Sequence, residues 1–234
     1  MSGIRPLGTG RFLISEAERL PRLYAILDTA AYEAKGFTAF EAAQTLLEAG
    51  VRLIQYRHKG QFTEERFQEA RRIAGACRAS RALLIMNDRA DYGRLLGCGV
   101  HLGQRDLSAP EARKIVGPDV PVGLSTHNEL QLRRAADLPV DYVALGPVFH
   151  THSKTNPDPV IGLSELLRLS ALTHFPLVAI GGIGIESALS VLDSGAAAVA
   201  VISGLLPERA GDLGGLRMRA REWLKAIEGR SLPM

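Results

Sequence analysis

The segment LIQYRHK, residues 53–59, is an apolar, strand-like run that stops at a cluster of residues able to bind phosphate. Four other segments have the same form, namely LLIMND (83–88), VHLGQRD (100–106), YVALGPVFHTHSK (142–154) and LVAIGGI (177–183). Continuous Val, Ile and Leu runs are typical of parallel sheets, because helices cover both faces of such a sheet. In a closed barrel the C-terminal ends of all strands meet at one mouth, so the five clusters would form a single site.

Strand-like and helix-like segments alternate along the chain with short connections between them. Eight strands are predicted, at 23–28, 52–57, 83–87, 99–102, 120–125, 141–146, 177–181 and 198–203, with amphipathic helices such as 40–49, 64–79, 129–136 and 186–194 between them. Repeated βα units imply right-handed crossovers and a parallel sheet. The first strand lacks the GxGxxG of an open dinucleotide-binding sheet. We therefore predict one domain over 1–234, a (β/α)8 TIM barrel at 22–230 with an N-terminal extension at 1–21.

Composition limits the classes of function. The formal charge of the 234 residues is only +3 and the charges are spread out, so no nucleic-acid partner is expected. The apolar runs are far shorter than a membrane span, so no membrane partner is expected either. Cys77 and Cys98 fit no metal-binding spacing and are predicted to be buried in a reducing compartment. A cytoplasmic protein is the expectation.

Glycine-rich turns follow the seventh strand and lie at the eighth, at 181–184 (GGIG) and 202–204 (ISG). In TIM barrels these two loops frequently bind phosphate through backbone N–H groups and a helix N-terminus. Glycine alone is also the ordinary way to turn a chain tightly. The position of both turns favours a site for a phosphorylated small molecule.

Gln55, Arg57 and Lys59 share one strand parity, so all three side chains could point into the same mouth. Such a trio suits a polyphosphate, although two solvated cations in a loop would give the same pattern.

Asp88, after Asn87, and Asp106 follow the third and fourth strands. A carboxylate about 4 Å from a phosphate oxygen costs on the order of 4 kcal/mol at an effective dielectric of 20, so a cation between them is needed. Mg²⁺ typically takes one or two carboxylates, waters and phosphate oxygens. The alternative for either aspartate is that it caps the helix that follows. Taken together, they predict a metal–pyrophosphate site.

The loop after the sixth strand carries Thr151, Ser153 and Lys154, two hydroxyls and an ammonium that could hold an anion. His150 and His152 form an HxH pair without a third ligand at zinc spacing, so exposed loop histidines are the better interpretation.

The ordered set QYRHKG (55–60), MNDR (86–89), GVHLGQRDL (99–107), VGLSTH (122–127), DYVALGPVFHTHSKTN (141–156), PLVAIGGI (176–183) and VAVIS (199–203) closely resembles the thiamine-phosphate synthase family. The resemblance runs from the first strand to the eighth. It implies a (β/α)8 barrel that joins 4-amino-2-methyl-5-hydroxymethylpyrimidine diphosphate to hydroxyethylthiazole phosphate, or to its carboxylate form. Pyrophosphate leaves and thiamine phosphate forms.

The resemblance also implies roles for individual residues. Gln55, Arg57, Lys59, Asn87 and Lys154 would hold the pyrimidine diphosphate, Ser125 would face the pyrimidine, and Asp88 and Asp106 would bind Mg²⁺. Thr151, Ser153, Gly182, Ile202 and Ser203 would hold the thiazole phosphate. Arg57, Lys59, Ser125 and Lys154 are the expected catalytic residues, and Tyr56, His58 and His152 are counted with the substrate-binding stretches. The partners would be these small molecules, with a homo-oligomer left open.

Three residues depart from the family pattern: His58 stands where glutamate is common, Ser153 where threonine is common, and Tyr56 where leucine is common. His58 has the opposite strand parity to Arg57 and Lys59, so its side chain is expected to point away from the mouth. A small effect on activity is expected.

Two other functions are compatible with such a barrel. A thiazole tautomerase, an isomerase related to the synthases, would use His127 as acid and base, because a histidine can exchange protons near neutral pH. It has no use for a metal–diphosphate pocket, and His127 could instead begin the helix after the fifth strand. A non-catalytic barrel that binds phosphorylated ligands is the third hypothesis.

Overall fold

The computed structural model describes residues 20–151 and 158–228. Eight parallel strands form a closed barrel in sequence order, with β1 paired to both β2 and β8. The strands are β1 Leu23–Asp28, β2 Leu53–Arg57, β3 Leu83–Asn87, β4 Gly99–Leu102, β5 Val122–Thr126, β6 Tyr142–Leu145, β7 Leu177–Ile180 and β8 Ala198–Val201. The predicted (β/α)8 barrel and all eight predicted strands are confirmed, with strand ends that differ by at most two residues.

Helices surround the barrel. They are α1 Thr29–Ala34, α2 Ala39–Ala49, α3 Glu64–Ala79, α4 Ala90–Leu96, α5 Ala109–Val116, α6 Glu129–Ala135, α7 Gly162–Ser170, α8 Ala188–Asp193 and α9 Leu213–Glu228, and a 3-10 helix spans Ser203–Leu205. Polar residues begin several of them: the Thr38 hydroxyl accepts the N–H of Glu41 and the Glu41 carboxylate accepts the N–H of Thr38, so both ends of this capping box are present. No helix in the described part of the chain is long and apolar enough to span a membrane.

Strand alternation separates two cores. Residues such as Tyr24, Leu53, Ile85 and Val178 fill the inside of the barrel, whereas the neighbouring positions on each strand pack outward against the helices. Successive side chains of a strand point to opposite faces, so one strand serves both cores. The outer core includes Cys77 and Cys98, and the predicted burial of both cysteines is confirmed.

Tyr142 fits inside the barrel because its neighbour on β5 is Gly123. A Cβ atom at residue 123 would lie 2.1 Å from Cζ of the Tyr142 ring, far inside van der Waals contact. Glycine in a strand interior often marks such a close approach. Because Gly123 has no side chain, it leaves the space that the Tyr142 ring fills.

The last helix holds the end of β8 in place. The indole Nε1–H of Trp223, on α9, donates to the Gly204 carbonyl at 2.9 Å, and the Trp223 side chain is fully buried. Gly204 lies in the 3-10 helix that begins at Ser203. Packing of α9 against this helix thus fixes the backbone beside Ser203.

We predict that Gly123→Ala lowers the free energy of unfolding by about 1–3 kcal/mol, the usual cost of overpacking a core. The measurement is urea denaturation followed by circular dichroism. Gly75→Ala is the control, because Gly75 lies in α3 and a Cβ there meets no atom within 4 Å. That variant should gain up to about 1 kcal/mol from helix propensity. Equal effects of the two substitutions would contradict the packing role of Gly123.

Candidate active site

A cavity of about 410 Å³ opens at the C-terminal mouth of the barrel. Its volume lies in the range of small-molecule sites. The residues predicted from the sequence that line it are Gln55, Arg57, Lys59, Asn87, Asp88, Asp106, Ser125, Thr151, Gly182, Ile202 and Ser203. Segments that are far apart in the chain therefore meet at one mouth, as the strand ends predicted.

Two residues predicted to bind substrate lie outside the cavity. The side chain of Tyr56 is buried among the helices, and its hydroxyl donates to Oε2 of Glu69 on α3 at 2.8 Å. Nδ1 of His58 lies 2.7 Å from the Thr29 hydroxyl, and its ring packs edge-on against Phe62. Strand alternation is the reason, since both residues have the opposite parity to Arg57. The geometry therefore does not support a side-chain contact of Tyr56 or His58 with a ligand in this cavity, and the expected outward direction of His58 agrees with it.

The predicted residues His152, Ser153 and Lys154 lie outside the described part of the chain.

Arg57 and Lys59, the two cationic side chains that follow Gln55, each have a carboxylate partner. Arg57 forms an ion pair with Asp28, whose other carboxylate oxygen accepts the N–H of Ala31 at 3.0 Å and so caps α1. Lys59 Nζ lies 2.5 Å from Oδ2 of Asp88. Asp28 was not predicted; its place at the end of β1 was the only signal. Its contact with Arg57 fixes the direction of that guanidinium at the edge of the cavity.

Asp88 and Asp106 lie within hydrogen-bonding reach of each other. Burial, and then the hydrogen bond with Asp106, raises the pKa of Asp88 against the opposing effect of Lys59. Burial acts to raise the pKa of Asp106 as well, but the hydrogen bond from Asp88 and the Gly103 N–H outweigh it and lower that pKa. Two carboxylates this close resist joint ionisation. The surroundings therefore disfavour ionisation of Asp88, and a cation bound beside it would oppose that effect.

Neither aspartate caps a helix, so that alternative was wrong. The N-cap residues of α4 and α5 are Arg89 and Ser108. Asp88 instead has a left-handed backbone, with φ +64°, and the Gly103 N–H donates to Oδ2 of Asp106 at 2.7 Å. Both carboxylates are free of helix N-termini and belong to the mouth of the barrel.

The donor set at this edge suits Mg²⁺ bound together with a phosphate. Within residues 20–151 and 158–228 no group of three or more His, Cys, Asp or Glu side chains could hold a metal alone. Mg²⁺ commonly needs only one or two protein carboxylates when waters and phosphate oxygens complete its shell. The buried Nδ2 of Asn87 has no hydrogen-bond partner in the described residues. An unpaired buried donor beside two carboxylates fits an anionic ligand that completes the site.

On the opposite side of the barrel the β7 turn exposes its backbone. Gly181 and Gly182 have φ values of +99° and +64°. A Cβ on Gly182 would lie 2.2 Å from the His150 carbonyl oxygen, so no side chain fits there. Within the described residues the N–H groups of Gly182 and Ile183 make no hydrogen bond. Such backbone donors, with the Ser203 hydroxyl nearby on the cavity wall, suit one phosphate group.

Two aromatic residues and a histidine at the cavity floor were missed from the sequence. Tyr24 and His101 line the cavity, and Tyr142 lies against both of them. His101 Nε2 lies 2.9 Å from Oγ of Ser125. The available signal was strand parity, because His101 precedes Gly103, another residue of the cavity lining, by two positions.

His127 lies at the rim of the cavity. Asn128 is the N-cap of α6, so His127 does not begin that helix. Its Nδ1 lies 2.7 Å from the Gly146 carbonyl oxygen and 3.5 Å from Oδ2 of Asp158. Because a carbonyl only accepts, Nδ1 carries a proton, and Nε2 is the nitrogen left to meet a ligand.

A closed parallel barrel with a carboxylate pair, two cationic side chains and a glycine turn at its C-terminal mouth is typical of (β/α)8 enzymes that act on small phosphorylated molecules. Phosphoribosyl anthranilate isomerase from Thermus thermophilus shares this fold, with a TM-score of 0.59 and 16% identity, over 89% of this chain and 98% of that one.

The chain belongs to the thiamine monophosphate synthase family, whose model matches residues 23–205. The thiamine-phosphate synthase of Koribacter versatilis is 46% identical over 212 residues, which cover 89% of this chain and 97% of that protein. The one of Nitrosococcus oceani is 42% identical over 190 residues, 80% of this chain and 86% of that protein. The solved thiamine phosphate pyrophosphorylase from Pyrococcus furiosus has a TM-score of 0.76 and 29% identity, over 88% of this chain and 95% of that one. The family resemblance of the sequence motifs is confirmed.

We predict that Asp88→Asn raises the melting temperature of the metal-free protein at pH 7. The pKa of Asp88 is raised by folding, so its ionisation destabilises the folded state above that pKa, and the neutral amide removes this cost. Asn also tolerates the left-handed backbone of residue 88. The measurement is differential scanning calorimetry in the presence of a chelator.

Asp91→Asn is the matched control. The hydrogen bond from Arg89 lowers the pKa of Asp91, so its charge stabilises the fold at neutral pH and this stability is lost as pH falls through the lowered pKa. The same substitution at residue 91 should therefore lower the melting temperature slightly. A fall with Asp88→Asn as well would argue against strain in the carboxylate pair.

Proposed function

We propose that the protein couples 4-amino-2-methyl-5-hydroxymethylpyrimidine diphosphate to hydroxyethylthiazole phosphate, releasing pyrophosphate and thiamine phosphate. The observation that supports this proposal is the presence of two groups of polar residues, different in chemistry and suited to anions, on opposite sides of one cavity. The carboxylates of Asp88 and Asp106 and the cationic side chains of Arg57 and Lys59 lie at the ends of β2 to β4. Backbone N–H donors lie at the ends of β7 and β8. A diphosphate and a monophosphate are the ligands that such a cavity suits.

The diphosphate would lie beside Arg57, Lys59 and Asn87. Asp28 holds the Arg57 guanidinium in direction, and the unpaired Asn87 Nδ2 would donate to a phosphate oxygen. Lys59 is about half exposed, so it can leave Asp88 for the ligand at little cost. Lys154 joins this group on the strength of the sequence motif.

Asp88 and Asp106 would hold Mg²⁺. The ion would supply positive charge between the carboxylates and the phosphate oxygens, and this charge would favour the ionised form of Asp88.

The monophosphate would lie in the β7–β8 turn, with N–H groups of Gly182 and Ile183 as donors. Ser203 follows Ile202 on the same wall, and Thr151 reaches the cavity from the β6 loop. Ser153 completes this set from the sequence motif. This group would hold the thiazole in place while its ring nitrogen attacks.

The reaction would be dissociative. The aminopyrimidine ring can stabilise a positive charge on its exocyclic methylene. The bond to pyrophosphate would therefore break before the thiazole nitrogen attacks, or be more advanced in breaking than the new bond is in forming. No protein nucleophile is needed. The contribution of Arg57, Lys59 and Lys154 is to bind the leaving group more tightly as its negative charge grows, which is how preorganised charges lower a barrier.

The alternative functions have less support. A tautomerase would leave the carboxylate pair and the Arg57–Asp28 contact without a role, and the named relatives are synthases. A non-catalytic barrel would have little reason to keep a carboxylate pair that destabilises the fold. The proposed partners are the two small molecules, and the proposed place is the cytoplasm.

One assay distinguishes the three hypotheses. With both substrates and Mg²⁺, we expect thiamine phosphate and pyrophosphate in equal amounts, measured by chromatography and a coupled pyrophosphatase assay. The tautomerase substrate alone should be unchanged. Binding of both ligands without product at saturating concentrations would support the non-catalytic barrel and sink the proposed function.

Variants test the assigned roles. Asp88→Asn or Lys154→Ala should each lower kcat by on the order of 100-fold or more, the scale for losing one preorganised charge-stabilising group. His58→Glu is the control, since His58 contacts Thr29 and Phe62 outside the cavity, and its kcat should stay close to wild type. Steady-state kinetics would disprove the roles of Asp88 and Lys154 if both variants turned over normally.

A further inference from the structure

Five side chains form a continuous row of hydrogen bonds across the floor of the cavity. Gln55 Nε2 donates to the Tyr24 hydroxyl at 2.8 Å, and the Tyr24 and Tyr142 hydroxyls lie 2.9 Å apart. The Tyr142 hydroxyl lies 3.0 Å from His101 Nδ1, and His101 Nε2 lies 2.9 Å from Ser125 Oγ. The row joins five different strands. Of its members, Tyr142 alone does not line the cavity.

The direction of every bond in the row follows from Gln55. An amide nitrogen only donates, so Tyr24 accepts from Gln55, and Tyr142 is the partner within the row that can then accept its single proton. Tyr142 in turn gives its proton to Nδ1 of His101. A neutral histidine that accepts at Nδ1 carries its proton on Nε2, so His101 donates to Ser125. The Ser125 proton is then left to point into the cavity.

A cationic His101 would spoil this order. Both of its nitrogens would donate, so Tyr142 would have to donate to Tyr24, which already accepts from Gln55. The Tyr24 proton would then have no acceptor within the row, and an unpaired donor in so buried a position is costly. Burial raises the pKa of Tyr24 and of Tyr142 well above that of a free tyrosine, so both remain protonated donors.

We propose that this row, through Tyr24, Tyr142 and His101, sets the hydrogen-bonding pattern that the cavity presents to the pyrimidine ring. At one end Gln55 Oε1 remains as an acceptor, since Gln55 lines the cavity and its Nε2 is held by Tyr24. At the other end the Ser125 hydroxyl is a donor. Tyr142 acts as a positioning residue through its neighbours.

An aminopyrimidine matches this pattern, and this step rests on the proposed function. Its exocyclic amino group donates and its ring nitrogens accept, so the amino group can meet Gln55 and a ring nitrogen can meet Ser125. A pyrimidine with an oxo group in place of the amino group would set one acceptor against Gln55 Oε1. A site built on hydrogen bonds rejects such an analogue because its polar groups are left unpaired.

The tautomer of His101 tests the row without any substrate. The chain has six histidines, and long-range ¹⁵N–¹H spectra of histidine-labelled protein separate Nε2–H from Nδ1–H forms. We expect His101 to be the Nε2–H tautomer in the wild type and to lose this preference in Tyr142→Phe. A reversed Gln55 amide would reverse every bond in the row and give Nδ1–H. Finding Nδ1–H, or the cation, in the wild type would overturn the proposal.

Ligand affinities test whether the row controls recognition of the pyrimidine ring. Tyr142→Phe should weaken binding of the aminopyrimidine diphosphate by about tenfold, the scale of one or two net hydrogen bonds. It should also reduce the ratio of the affinity for the amino compound to the affinity for its oxo analogue. Binding of Mg²⁺ with inorganic pyrophosphate, measured by calorimetry, should stay unchanged. Loss of both affinities together would indicate a structural role only and would refute the proposal.

Tyr32→Phe is the matched control. Tyr32 is equally buried, but its hydroxyl has no hydrogen-bond partner in the described residues and lies outside the cavity lining. Its removal should change neither affinity nor the His101 spectrum.

Tyr24→Phe breaks the row at a second place. It provides the test of the row if Tyr142→Phe does not fold. It frees Gln55 and leaves Tyr142 donating to His101, so analogue discrimination should fall while the Nε2–H form persists. An unchanged preference for the amino compound in this variant would overturn the proposal. Failure of the wild type to make thiamine phosphate would refute the proposed function, whereas the His101 spectrum tests the row on its own.

Discussion

The functional side chains depend on one constraint: every second residue of a strand in a closed barrel must point inward. This alternation sends Gln55 and Arg57 into the cavity and Tyr56 among the helices. At the mouth the inward positions are polar and form the site, and below it they are apolar and form the inner core. Substitution of a single strand position therefore affects either the site or the packing of helices, seldom both.

The site combines elements that stabilise the fold with elements that strain it. The Arg57–Asp28 pair is supported by the cap of α1, so it is rigid as well as charged. The Asp88–Asp106 pair is different, because burial and the neighbouring Asp106 raise the pKa of Asp88 and so act against its ionisation. A bound cation would relieve that strain, and the same property would make the site bind ligand and metal together. Stability given up at such a pair is a common feature of catalytic sites.

The floor of the cavity gives a second kind of organisation. Its side chains form one continuous row of hydrogen bonds, so in the proposed order the orientation of one amide determines that of a hydroxyl four bonds away. The charged edge suits diphosphates in general, whereas an ordered row of hydrogen bonds would distinguish one ring from another. Gly123 belongs to this device as well, since its missing side chain leaves room for Tyr142.

The sequence by itself determined the eight strands, the closed barrel, the family and the meeting of the strand-end clusters, because these follow from local hydrophobic runs and strand parity. Only the tertiary structure decided the partners of the site residues. The Asp28–Arg57 contact spans 29 positions and the Tyr24–Tyr142 hydrogen bond spans 118. It also showed that Lys59 pairs with Asp88 and that neither Asp88 nor Asp106 caps a helix. Such contacts depend on how strands are registered around the barrel, and no local pattern of residues encodes that arrangement.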